Sequence, residues 1–169
     1  VTDADVVIKG TAEKGSTVIA KVNGKDIGKA TADPDGIFII NIMKQTAESV
    51  IIITATDAAG NTSEKSEVTV KDVTAPAAPV VNPVTDADVV IKGTAEKGST
   101  VIAKVNGKDI GMATANRYGQ FSIIIKKLTA GTVVVVVASD RAGNVSKAAS
   151  VRVKDATAPL APVINPVTD

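Results

Sequence analysis

The stretch VTDADVVIKGTAEKGSTVIAKVNGKDIG occupies residues 1–28, and it occurs again without a single change at residues 84–111. A third copy opens with Val167-Thr168-Asp169, so each copy begins 83 residues after the one before it. Repetition at a fixed period is read first, because missing it misassigns the fold. The period predicts a tandem array of one module, and we expect this array to be part of a longer one.

The length of the repeat indicates the kind of module. A unit of this size can hold one small domain with its own core, and it is too long for a solenoid unit that folds only against its neighbours. We predict a first module over residues 1–73, with its first strand missing or incomplete, and a second over residues 74–156. Residues 157–169 would be a linker and the first strand of a third module.

Composition favours strands and argues against an enzyme. The hydrophobic fraction is 44%, but the chain has two Phe, one Tyr and no Trp. Branched aliphatic residues fit the pleated surface of a sheet better than a helix. His and Cys are absent, so the usual general base, the commonest metal ligand and any thiolate are missing. We predict an all-β protein that is not an enzyme and needs no organic cofactor.

The charge pattern excludes two classes of partner. The formal net charge is +1, with lysines and carboxylates interspersed. This pattern gives neither the basic footprint of a nucleic-acid binder nor a polybasic membrane patch. No apolar run approaches the roughly 18 residues of a membrane span. We therefore predict no nucleic-acid partner and no membrane insertion.

Short β-type runs alternate with turn sequences in each repeat, at the spacing of a sandwich or barrel. Asn23-Gly24 predicts a two-residue hairpin turn, and Asp33-Pro34-Asp35-Gly36 predicts a second turn. The predicted strands cover residues 5–11, 17–22, 25–32, 37–42, 50–56 and 66–71, with Phe38 in the core and 50–56 central; residues 80–82 begin the second module. Seven strands match a Greek-key sandwich of immunoglobulin type, and we expect two such modules in a rod.

The most hydrophobic runs allow two interpretations. The run TVVVVVAS at residues 132–139 has the composition of an aggregating segment, and deliberate cross-β assembly would use it. Strands that are buried on both faces have the same composition. Charged residues flank these runs as gatekeepers, which favours the buried strands.

Four segments carry a resemblance to a known family: TAEKGSTV (11–18), DPDGIF (33–38), TDAAGNTS (56–63) and DVTAPAAPV (72–80). They resemble the bacterial immunoglobulin-like repeats that form the stalks of large cell-surface adhesins, including biofilm-associated surface proteins. The second copy departs from the pattern at Asn116-Arg117-Tyr118. The resemblance implies an extracellular position on a bacterial cell surface, with neighbouring modules of the same chain as partners.

Carboxylates gather where the modules begin and end. In an immunoglobulin topology Asp3 and Asp5 precede the second strand, and Asp72 ends the last strand at the same pole. Together they could hold Ca²⁺, which takes six to eight oxygen ligands, and some modules of the family bind Ca²⁺ between domains. The simpler interpretation is that these side chains make local hydrogen bonds to the backbone. For Asp57 and Asn61 we predict such local capping.

Three hypotheses follow for function. The repeats are a structural stalk that projects a distal binding domain during adhesion or biofilm formation. Alternatively, the repeats are themselves adhesive, through a glycan or through homophilic contacts. A glycan site usually needs an aromatic platform, and Tyr118 is the candidate outside a strand. A third hypothesis is an accessory region of a surface enzyme.

The sequence also suggests strand exchange between molecules. The first module lacks a counterpart of residues 75–83, whereas residues 157–169 (TAPLAPVINPVTD) repeat that segment. The end of one molecule could supply the missing strand of the next by strand addition, which would bury Val163 and Ile164.

Overall fold

The computed structural model describes residues 1–163, and the regular elements in that range are β-strands. The chain divides into two compact units, Val1–Thr74 and a second that begins at Ala75. In the described range no helix is long and apolar enough to cross a membrane. The predicted boundaries at residues 73 and 156 stay predictions until the modules are separated. Residues 164–169 of the predicted third module lie outside the described residues.

The first unit contains two antiparallel sheets that enclose one core. Its strands are β1 (Val7–Thr11), β2 (Thr17–Val22), β3 (Lys25–Thr31), β4 (Ile37–Asn41), β5 (Val50–Thr56) and β6 (Ser66–Thr69). One sheet has the order β3-β2-β5-β6, and the other pairs β1 with β4. The predicted central position of residues 50–56 is confirmed, because β5 lies between β2 and β6.

The second unit repeats this arrangement with one strand more. Its strands are β7 (Val80–Val81), β8 (Val90–Thr94), β9 (Thr100–Val105), β10 (Lys108–Thr114), β11 (Gln120–Ile124), β12 (Val133–Ser139) and β13 (Ala149–Arg152). The sheets have the orders β10-β9-β12-β13 and β11-β8-β7. The predicted all-β class, with seven strands in a complete sandwich module of immunoglobulin type, is confirmed.

Each core lies between the two sheets of its own unit. In the first unit, Phe38 and Ile40 of β4 are 6% and 0% exposed, and Ile51 of β5 is 0% exposed. The alternating residues Ile37 and Ile39 face outward, as the two-residue period of a strand requires. The predicted placement of Phe38 in the core is confirmed.

The prediction that the most hydrophobic strands are buried on both faces is wrong. In β12 the residues Val134, Val136 and Ala138 are fully buried, whereas Val133 is an exposed residue and Val135 is only partly buried. Each sheet of a two-layer sandwich has one face on the core and the other toward solvent. The second face of β12 is apolar and only partly buried.

The Asn-Gly turns have the predicted conformation. The φ angles are 49° at Asn23 and 78° at Gly24, and 50° and 77° at Asn106 and Gly107. Positive φ at both central residues is what a type I′ turn requires, and its twist matches that of the flanking strands. These turns join β2 to β3 and β9 to β10.

The first strand of a module is divided into two parts that serve different sheets. Val80–Val81 pairs with β8 in one sheet. After Pro83, the chain crosses to the other sheet, where Thr85 forms a parallel bridge with Lys154 beyond β13. The amide of Lys154 donates to the carbonyl of Val84 (2.9 Å), and the amide of Asp86 donates to the carbonyl of Lys154 (3.0 Å).

The first unit has only the second part of this divided strand. The amide of Lys71 donates to the carbonyl of Val1 (3.0 Å), and the amide of Asp3 donates to the carbonyl of Lys71 (2.9 Å). The parallel bridge between Thr2 and Lys71 matches that between Thr85 and Lys154. In residues 1–74 the first strand is therefore incomplete, and not wholly missing.

Candidate functional site

Asp3 joins the beginning of the first unit to its end. The amide N–H of Val73 donates to Oδ1 of Asp3 at 3.0 Å. Hydrogen bonds from the Thr74 side chain and from the Val73 amide hold the pKa of Asp3 below its ordinary value, because they favour the charged carboxylate. The interaction closes a loop of the chain, since the partners lie 70 residues apart in sequence.

Asp86 makes the same connection in the second unit. The amide of Ala156 donates to its Oδ1 at 2.9 Å. Hydrogen bonds from this amide and then from the Thr157 side chain lower the pKa of Asp86. We call each arrangement an end clamp: Asp3 with Val73 and Thr74, and Asp86 with Ala156 and Thr157. Sequence reasoning missed the two threonines, although Asp-x-Thr recurs in register at residues 72–74 and 155–157.

The other two predicted calcium ligands make local hydrogen bonds. Oδ2 of Asp5 accepts a hydrogen bond from the amide of Thr2 at 2.8 Å. Oδ1 of Asp72 accepts one from the amide of Thr74 at 3.1 Å. Both contacts are of the local side-chain to backbone kind that caps turns.

The structure therefore brings Asp3 and Asp72 to the same chain exit, with each carboxylate directed at a backbone amide. Within residues 1–163 no group of three or more acidic, His or Cys side chains has an arrangement that could hold a metal ion. Ca²⁺ would need six to eight oxygen ligands. The calcium site at Asp3, Asp5 and Asp72 stays a prediction for which ion titration is the test.

The predicted capping of the 57–61 loop is confirmed. Oδ1 of Asp57 accepts hydrogen bonds from the amides of Ala59 (2.9 Å) and Asn61 (2.8 Å), and its Oδ2 accepts one from the side-chain amide of Asn61 at 2.8 Å. The Asn61 side chain and then its backbone amide lower the pKa of Asp57. Asp140 and Asn144 repeat these contacts in the second unit.

A second loop keeps its hydrogen bonds although its carboxylate is replaced. Oδ1 of Asp33 accepts hydrogen bonds from the amides of Asp35 (3.0 Å) and Ile37 (2.8 Å). Oδ1 of Asn116 accepts the equivalent bonds from Tyr118 (2.9 Å) and Gln120 (3.0 Å). A neutral amide oxygen thus serves as well as a carboxylate, which makes this a structural turn.

Tyr118 is an incomplete platform for a sugar. Its side chain is 71% exposed, but the guanidinium carbon of Arg117 lies 4.6 Å from the centre of the ring. A cation over the ring is held by the negative potential of the aromatic face. One face of the ring is thereby occupied. The hypothesis that the repeats bind a glycan stays untested.

Two comparisons by sequence bear on the family. The model of the family described as "Bacterial Ig domain" matches residues 1–72 and again residues 75–155. The cell wall-associated protease of Bacillus subtilis (strain 168) is 37% identical over 149 residues, which is 87% of this chain and 16% of the relative. The chain thus spans about a sixth of that relative's length.

Solved structures give likenesses of fold. Bovine butyrophilin is 12% identical over 90% of this chain and 92% of its own, with a TM-score of 0.55. Extracellular domains 3–5 of Drosophila OTK are 17% identical over 90% of this chain and 57% of theirs, with a TM-score of 0.51. The BSP domain of a biofilm-associated protein is 30% identical over 94% of this chain and 29% of its own, with a TM-score of 0.46.

Proposed function

This chain belongs to the bacterial Ig domain family, and we propose that its two modules are non-catalytic spacers in an extracellular protein of a bacterial surface. In this role they hold a distal binding domain away from the cell. Each added copy of the module lengthens the spacer. The neighbouring modules of the same chain are the partners that this role requires.

The observation that carries the proposal is the repetition of one architecture with equivalent core residues, although one of its turns differs in sequence between the copies. Phe38 and Phe121 fill equivalent core positions, as do Ile40 and Ile123. The turn that contains Asp33 in one module contains Asn116 in the other, without loss of its hydrogen bonds. Both copies therefore keep the core and the hydrogen bonds of the turn, and a spacer needs only a stable fold.

The segment between the modules also suits a spacer. Pro76 and Pro79 fix φ in the stretch TAPAAP, and two prolines three residues apart favour an extended backbone. The end clamp of Asp3 holds the chain at Val73, directly before this stretch. The cell-wall association in the name of the Bacillus subtilis relative supports an extracellular position.

Small-angle X-ray scattering on arrays of two, four and six copies of residues 75–157 tests the spacer. The maximum dimension should rise by a constant increment for each module, because a strand of about seven residues alone spans about 23 Å at about 3.3 Å per residue. An array with Pro76 and Pro79 replaced by Gly should show a broader distribution of distances. A maximum dimension that levels off as copies are added would contradict the proposal.

One observation favours a second function, that of a spacer attached to a surface enzyme. The relative that shares 37% identity over 149 residues is named a protease, and this chain covers 16% of it. The full reading frame that contains these repeats distinguishes the two roles. A catalytic domain in the same polypeptide supports the enzyme-linked spacer, whereas a distal binding domain supports the adhesin stalk.

A further inference from the structure

Each module consists of two halves that follow one another along the chain. The leading halves are β1–β3 (residues 7–31) and β8–β10 (residues 90–114), and the trailing halves are β4–β6 (residues 37–69) and β11–β13 (residues 120–152). Both sheets of a module take strands from both halves, because β1 pairs with β4 and β2 with β5 in the first module. The pairs β8 with β11 and β9 with β12 repeat this in the second. One turn joins the two halves of each module.

The core of each module lies between its two halves. In the first module the leading half contributes Ile8, Val18 and Ala20, and the trailing half contributes Phe38, Ile40 and Ile51. In the second module the equivalent residues are Ile91, Val101 and Ala103, and Phe121, Ile123 and Val134. Neither half can bury its apolar side chains without the other.

The two leading halves have almost the same sequence. Residues 7–28 and 90–111 are identical, and the three residues that follow differ only where Lys29 is replaced by Met112. Both of these side chains are exposed, so the difference lies outside the core. A leading half therefore presents the same inward side chains and the same strand edges in both modules.

The trailing halves receive this segment in the same way. A Cβ added at Gly28 would lie 2.6 Å from the carbonyl oxygen of Asn41. A Cβ added at the equivalent Gly111 would lie 2.7 Å from the carbonyl oxygen of Ile124. Both trailing halves thus approach the leading half so closely that only glycine fits at this position.

An exchange of leading halves between the two modules would leave the sum of the core contacts unchanged. Each trailing half would meet the inward side chains that it meets already, so burial of apolar surface does not favour its own leading half. The short turn does, because it holds the two halves of one module at an effective concentration of about millimolar. Chain connectivity therefore selects the partner, and side-chain complementarity does not.

We propose that the leading half of the second module can complete the first module of a second copy of this chain, with the reverse exchange in return. The turns at residues 32–36 and 115–119 are the hinges that must open. Exchange of an identical element between protomers is a low-cost route to association, and repeat proteins are prone to it during folding. This inference goes beyond the spacer role, which requires no contact between molecules.

Disulfide trapping tests the exchange on the full chain, which has no cysteine of its own. One variant is Lys104→Cys and the other is Ile52→Cys. Exchange places residue 104 opposite residue 52, in the register that Lys21 has with Ile52. The Cα atoms are then about 5 Å apart, which a disulfide can span. The two variants are unfolded together in urea, refolded at high concentration and oxidised with glutathione disulfide, and non-reducing electrophoresis should show the mixed dimer.

The matched control replaces Ile52→Cys by Glu67→Cys. Glu67 pairs with Ile52 from the next strand of the same sheet, so exchange leaves residue 104 about 10 Å from residue 67. Glu67 is exposed, whereas Ile52 is partly buried, so chance collisions favour the control. We expect about fivefold more mixed dimer with Ile52→Cys, because only this pair comes within disulfide distance. Equal yields would overturn the proposal.

Two further measurements test the hinge. Chains that are refolded separately and then mixed should give little mixed dimer, because a folded module opens slowly. Adding Asn116→Ala to the Lys104→Cys chain removes the hydrogen bonds that close the turn at residues 115–119, and it should raise the yield on joint refolding about twofold or more. An equal yield from separately refolded chains would show that folded surfaces collide, which would overturn the exchange. A yield that Asn116→Ala does not raise would contradict this hinge and the exchange that depends on it.

Discussion

At the scale of single residues, the carboxylates of this chain act on its own backbone. Asp3 holds the amide of Val73, and Asp57 closes a loop on Asn61. Asp33 accepts the hydrogen bonds that close a turn, and Asn116 accepts the equivalent bonds in the other module. The replacement of Asp33 by Asn116 in the second module keeps the oxygen that accepts the hydrogen bonds and removes the negative charge.

Asp33 should tolerate loss of its charge and not loss of its oxygen. We expect Asp33→Asn to change the free energy of unfolding by less than about 0.5 kcal/mol, since Asn116 makes the same two hydrogen bonds. Asp33→Ala removes the acceptor and should cost about 1 kcal/mol. Urea unfolding of the two variants measures the difference. Equal destabilisation would mean that the charge matters at this turn.

The end clamps should make stability depend on pH in the acid range. The pKa values of Asp3 and Asp86 are lowered in the folded chain. A carboxylate with a lowered pKa stabilises the folded state above its unfolded pKa, about pH 4, and this contribution is lost as the pH falls through the folded pKa. The double variant Asp3→Asn and Asp86→Asn should therefore lose less stability between pH 6 and pH 3 than the parent. Parallel pH profiles of the urea midpoint would contradict this expectation.

Calcium should have little or no effect on this chain. Asp3, Asp5 and Asp72 each already accept a hydrogen bond from a backbone amide, and binding of Ca²⁺ would have to displace those contacts. A ligand that binds only the folded state raises Tm. Differential scanning calorimetry with millimolar Ca²⁺ and then with EDTA measures this directly. A rise in Tm that Asp3→Asn abolishes would instead establish the calcium site.

At the scale of strands and turns, the sequence was informative wherever the signal was local. Asn23-Gly24 predicts its turn because positive φ is favoured at those residues themselves, and the strands follow the two-residue period. The divided first strand was not predictable in this way, because its second part is positioned by Lys154, far along the chain. The burial of β12 was wrongly predicted for a related reason. The sequence shows that its outward side chains are valines, but not whether a second layer of the protein covers them.

The aromatic residue at the centre of each core offers a comparison of the two modules. Phe121→Ala should cost about 3 to 5 kcal/mol of its module's stability. Phe38→Ala should cost less, because Ile53 in its module is only partly buried, whereas its counterpart Val136 is fully buried. The outward-facing variant Ile39→Thr should have a small effect on the same strand. Calorimetry that resolves the two transitions tests the order, and an equal loss of stability from both phenylalanine variants would contradict it.

At the scale of the whole molecule, the repeat predicts independent folding. Residues 75–156 contain a complete set of seven strands, and their core cluster draws only on that segment. We expect this module alone to unfold in one cooperative transition, with a midpoint within a few degrees of that in the full chain. Circular dichroism of the isolated module measures it. A chain that does not fold would show that the boundary at residue 74 is misplaced.

The divided first strand also determines how a module would respond to tension. The residues that enter a module lie parallel to those that leave it, through the bonds of Lys71 with Val1 and Asp3, and of Lys154 with Val84 and Asp86. A pull on the two ends of a module in opposite directions slides these parallel segments past each other. The two hydrogen bonds of that module are therefore loaded in shear at the same time and cannot open one by one. Rupture then requires the two to break together, and the mechanical strength of a long array would reside in these short patches, one in each module.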